Sequence, residues 1–150
     1  KNRSTMKKLL ALLFSLIFSF NCFGLQEVLI PELNLYGEWT KFYSEEDGEV
    51  FIQKDTITKK DGSVYWWTLG NLNQPDDENG MMSFTIYNQG DCNLNRTKGI
   101  NVVFYEKPMG MGTSDQYFQD VQYASYNEWE YVTPGDIDAD LLDYICEYVN

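Results

Sequence analysis

The sequence contains no histidine. The commonest general base and a frequent metal ligand are therefore missing. A serine or cysteine nucleophile would need a lysine or a similar substitute as its base, and no motif supplies one. Basic residues are also scarce, with 11 Lys and Arg against 23 Asp and Glu, a formal charge of −12. Such a chain repels nucleic acid and anionic membrane surfaces. Gly110 and Gly112 are not a phosphate loop, since no Lys-Ser/Thr follows and no helix opens after them. The acidic runs Glu45-Glu46-Asp47 and Asp76-Asp77-Glu78 lie in turns. A glycosidase would need two carboxylates projecting into a cleft. The second run lacks the alternating spacing of a calcium loop. No catalytic residue, cofactor or metal is expected.

Long apolar runs are missing too, with one exception. Met6 is followed by Lys7 and Lys8, then by an almost wholly apolar stretch from Leu9 to Phe20, then by Cys22-Phe23-Gly24. That is the order of a secretory signal peptide, with small residues where a signal peptidase reads. The run is short for a membrane span and has no basic stop-transfer flank. Residues 1–24 are thus expected to be an upstream extension and a cleaved signal, and residues 25–150 a single exported domain. Cys22 as a lipid anchor is the lesser reading, because Phe20 and Asn21 fit a lipobox poorly. Removing the signal takes four basic residues and no acidic ones, leaving 7 against 23, or −16. A surface of that sign suits a basic partner, or simply keeps a small exported domain soluble.

Of three cysteines, Cys22 leaves with the signal. Cys92 and Cys146 remain, and an even count in a small exported chain predicts a disulfide. Its loop of roughly 50 residues is worth on the order of 4 kcal/mol in the chain-entropy model. Two thiolates without histidine fall short of a zinc site. There is no Cys-x-x-Cys redox spacing.

Most of the remaining chain has strand periodicity. Strands are expected at Glu38–Tyr43, Glu49–Gln53, Ser63–Leu72, Met81–Tyr87, Gly99–Glu106 and Gln119–Tyr126. Turns are expected at Ser44–Gly48 and Lys59–Gly62, the latter ending in an Asp-Gly pair. Ser63–Leu72 carries large apolar groups on both faces, as a central, doubly covered strand does. Pro108–Ser114 is expected to be loop. Thr133-Pro134-Gly135-Asp136 reads as a helix start, with Thr133 as the N-cap. Ile137, Leu141, Leu142, Ile145 and Val149 then form one helical stripe, with Cys146 at its edge. The expected fold is α+β: an antiparallel meander of about five to six strands, with one C-terminal helix tied to it by a disulfide.

Twenty of the 24 aromatic residues lie beyond the signal. One helix covers one face of a sheet, so some of these aromatics must meet the other face. Tyr65, Trp67, Tyr87, Tyr105 and Tyr123 are the candidate residues. They pack as a second small core, or they form a face that binds protein, glycan or a second copy of the chain.

The landmarks together resemble the surface-adhesin E family of exported bacterial proteins. They are Trp39, "VFIQKDTITKKDG" from Val50, Trp66-Trp67, Asp91-Cys92, "WEYVTPGD" from Trp129, and Leu142 with Cys146. The family's second strand often carries a Tyr-Ile-Asp-like pattern, where this chain has Phe51-Ile52-Gln53. The resemblance implies a twisted antiparallel sheet with a disulfide-bound C-terminal helix. It also implies a non-enzymatic protein that binds host-matrix or envelope proteins, at the cell surface or in the periplasm. A homodimer is a candidate assembly. The other function that suits a small acidic exported domain is inhibition of a basic secreted enzyme such as lysozyme.

Overall fold

The computed structural model describes residues 31–77, 80–115 and 127–150. The signal segment with Cys22, the expected strand at Gln119–Tyr126, and Tyr123 lie outside the described residues. Among the described residues eight strands form one antiparallel sheet: β1 (Thr40–Ser44), β2 (Gly48–Ile52), β3 (Thr58–Lys60), β4 (Ser63–Leu72), β5 (Ser83–Asp91), β6 (Arg96–Lys107), β7 (Met111–Asp115) and β8 (Glu130–Tyr131). The main order is β1-β2-β4-β5-β6-β7, with β3 on β4 and β8 on β6. The one α-helix among the described residues, α1 (Ile137–Tyr148), follows. Among the described residues no helix is long and apolar enough to cross a membrane.

β4 is the organising strand. β2 pairs with its C-terminal half and β3 with its N-terminal end. Between them the chain breaks into a 3₁₀ turn at Lys54–Thr56. The gap leaves no backbone orphan on β4 at Trp67. Its carbonyl accepts from Gln53 N, and its N–H donates to Thr56 Oγ1. β3 and β4 meet in a two-residue turn, with Asp61 at φ 51° and Gly62 at φ 80°. Positive φ at both positions matches the twist that a tight hairpin needs.

Strand periodicity then sorts the side chains. Val64 and Trp66 face the helix together with Ile52 of β2. They pack against Leu141, Leu142 and Ile145, and all six are buried. Phe42 and Tyr144 close one flank, their rings 5.6 Å apart. At full burial, each large apolar side chain here is worth about 1.5–3 kcal/mol.

The helix starts later than the sequence suggests. Gly135 sits at φ 96°, outside helical space, and Asp136 N bonds back to Thr133 O at 3.0 Å. Thr133 therefore opens a turn, and Asp136 is the N-cap. Asp138 and Asp140 in the first turn complement the positive end of the helix dipole. Three further strands depart from the sequence reading. Thr58–Lys60, overlapping the expected turn at Lys59–Gly62, is β3, paired with β4. Pro108–Ser114 was expected to be loop, but Met111–Asp115 is β7, paired with β6. Glu130–Tyr131 pairs with Arg96 and Thr97.

Candidate binding surface

Three places bear on recognition. The first is the disulfide corner. Cys92 and Cys146 are bonded, with Cα atoms 6.0 Å apart and a sequence separation of 54. The bond ties α1 to the β5–β6 hairpin. Asp91 shapes that hairpin. Its Oδ1 accepts from Asn93 N and Leu94 N, each at 3.1 Å. Its Oδ2 accepts from Arg96 Nη2 at 3.1 Å and Nε at 3.3 Å. Partial burial alone would raise the Asp91 carboxyl. The hydrogen bonds from Leu94, Arg96 and Asn93 outweigh it and hold the group below its ordinary range. Arg96 also stacks on Trp129 at 4.4 Å, with Lys98 at 5.1 Å from the same ring. The Asp-Cys pair and the Trp129 segment, far apart in sequence, thus meet through one arginine.

The second place is the sheet face opposite the helix. It gathers Tyr65, Trp67, Tyr87 and Tyr105. Trp67 and Tyr87 have ring centroids 5.0 Å apart, and Tyr65 and Tyr87 are stacked at 6.0 Å. Thr85 Oγ1 and the Tyr105 hydroxyl share a hydrogen bond of 3.3 Å. Trp67, Tyr87 and Tyr105 are only 2%, 4% and 6% exposed. In this conformation they make a second core, and only Tyr65 stays half-buried. Two chain segments are anchored on this side. Asn34 O accepts from buried Gln53 Nε2 at 2.8 Å. Ser83 Oγ accepts from Gly110 N at 2.9 Å and donates to Lys107 O at 2.6 Å. Leu35 lies directly against Gly110. Burial, followed by the charge of Tyr65, holds the Tyr87 hydroxyl above its ordinary value.

The third place was not foreseen as a unit. Glu46 and Asp47 of the first acidic run and Asp76 and Asp77 of the second come together at one end of the sheet. Asn73 clips them, with its N–H on Asp47 O and its side-chain amide on Glu46 O. The resulting cleft is lined by Glu46, Asp47, Asn73, Gln74, Asp76 and Asp77 among others. Beside it, on the helix side, runs an apolar groove of about 200 Å³. Val50, Gly70, Leu72 and Phe84 line it, Ile137 at the start of α1 closes it, and Glu45 and Asp47 stand at its rim. The Tyr43 hydroxyl donates to Glu45. That bond first, then burial and the charges of Glu45 and Asp140, raises its pKa above the tyrosine norm. Each acidic run was visible in sequence, but their meeting is a product of tertiary structure. Among the described residues no three of His, Cys, Asp and Glu are placed to hold a metal ion.

The family model described as "Surface-adhesin protein E" matches residues 39–147. This chain belongs to the surface-adhesin protein E family. The match begins at Trp39, before β1, and ends within α1, just past Cys146. It therefore takes in all eight described strands and the disulfide. A search of the curated proteins found no match. Membership carries the coarse reading of an adhesin-like protein of the cell surface that binds a protein partner.

Proposed function

We propose that this adhesin E domain is an exported, non-enzymatic bacterial binding protein that works through protein–protein contacts at the cell surface or in the periplasm. The observation that carries the reading is the family match across residues 39–147. The Cys92–Cys146 bond supports it, because such bonds persist in oxidising compartments outside the cytosol. Among the described residues of the aromatic face, Tyr65 is the candidate left partly accessible, so that face contributes at its edge. The recognising surface then has to be built elsewhere as well.

Capture from host-matrix and bacterial-envelope extracts tests this. Retained binding to a matrix or envelope protein at moderate salt supports the adhesin function. A lysozyme as the sole captured partner, lost at moderate salt, would replace it with inhibition of a basic enzyme.

A further inference from the structure

We propose that the groove beside the start of α1 is the docking site for a basic segment of a protein partner. The segment seats one apolar side chain on Phe84 and places lysines or arginines beside Glu45 and Asp47. This deepens the binding function above and rests on it.

The floor is made by an absence. A Cβ on Gly70 would lie 2.1 Å from Phe84 Cζ, so the Phe84 ring lies directly against the β4 backbone. Helix α1 begins at Ile137, at the margin of the groove, and leaves this part of the sheet face to its own side chains. Phe84 and Val50 are accordingly only half-buried, whereas Trp66 and Ile52 beneath the helix are 1% exposed. At about 200 Å³ the depression is smaller than the ~300–1,000 Å³ that small-molecule sites occupy, and suits one side chain of a larger partner.

The charge around it has one sign. Glu45, Asp47 and Glu49 border the groove, and the neighbouring cleft adds Glu46, Asp76 and Asp77. Among the described residues no lysine or arginine lines either depression. Glu49 is ion-paired with Lys41, and Glu45 accepts from the Tyr43 hydroxyl. An apolar floor within a carboxylate rim is complementary to an apolar residue flanked by cations. It opposes acidic segments by like-charge repulsion.

The test is titration of the ¹⁵N-labelled, oxidised exported protein with the peptide Lys-Lys-Leu-Lys-Lys amide. Two comparison peptides replace Leu with Ser, or every Lys with Glu. The expected result is amide shifts centred on Val50, Gly70, Leu72 and Phe84, weaker binding by the Ser peptide, and none by the Glu peptide. Glu45→Gln with Asp47→Asn should weaken the Leu peptide by roughly tenfold. Asp55→Asn with Asp143→Asn, the same charge change on other exposed residues, should leave the affinity unchanged. Equal affinities for the two double variants, equal affinities for the Leu and Ser peptides, or shifts centred elsewhere would overturn the site. A dispersed amide spectrum certifies that each variant is folded. If the folded Glu45→Gln/Asp47→Asn protein captures its protein partner as strongly as wild type, the groove assignment falls while the binding function stands.

Discussion

Leu142 occupies the volume that a side chain on Gly90 would need. A Cβ at residue 90 would lie 2.6 Å from Leu142 Cδ1 and 3.0 Å from both Trp66 and Val64 side-chain atoms. Helix α1 seats on the sheet because β5 has no side chain there. Gly90→Val is expected to destabilise the domain by about 1–3 kcal/mol through overpacking. Urea unfolding should show an earlier midpoint at unchanged slope. An unshifted midpoint would mean that the helix does not rest on this glycine.

The Cys92–Cys146 bond restricts the unfolded chain as well as holding the helix. The paired Cys92→Ser/Cys146→Ser variant should lose about 2–5 kcal/mol. Intact-mass measurement checks the bond itself. The exported, unreduced protein should take up no alkylating agent, and two alkylated thiols would refute the pairing.

Much of this fold was legible in the residues. Ser63–Leu72 reads as a central strand because both its faces are apolar, and β4 has those bounds. The stripe Ile137-Leu141-Leu142-Ile145 names the packing face of α1, since burial acts directly on it. The onset of the helix was misread because Thr133-Pro134 is a good opening, while the positive φ of Gly135 is a tertiary choice. β7 escaped because Met111–Asp115 has no alternation of its own and is a strand by virtue of pairing with β6. Periodicity placed Trp67 and Tyr87 on one face. It carried no information about the segments anchored on that side, where Asn34 meets Gln53 and Gly110 meets Ser83. The acidic groove was illegible for the same reason.

Asp91 links stability to acid. Its folded pKa lies below the ordinary value of about 3.9, so its contribution is present above that value and is lost as pH falls through the lower, folded one. Asp91→Asn removes this dependence. The stability of wild type minus that of Asp91→Asn should be largest near neutral pH and shrink as the solution becomes strongly acidic. A difference that stays constant across that range would show that the Asp91 carboxylate is not selectively held.

Tyr87 works in the opposite range. Its folded pKa is raised above the ordinary value of about 10, so the protonated hydroxyl favours the fold. That contribution is present below the ordinary value and is lost as pH rises through it toward the folded one. Ultraviolet absorbance titration should show one fewer late-ionising tyrosine in Tyr87→Phe, with Tyr43 still ionising late. Because Tyr87 is buried, Tyr87→Ala should cost about 3 kcal/mol of stability, as truncating a core aromatic does. A folded Tyr87→Ala protein of wild-type stability would return this residue to the list of surface contacts.

The adhesin function itself is tested most directly by surface plasmon resonance. The oxidised exported protein is passed over immobilised extracellular-matrix proteins and, in parallel, lysozyme, at low and moderate salt. Saturable binding to at least one matrix protein that survives moderate salt is the predicted result. No saturable binding to any matrix protein, with lysozyme alone retained at low salt, would contradict it.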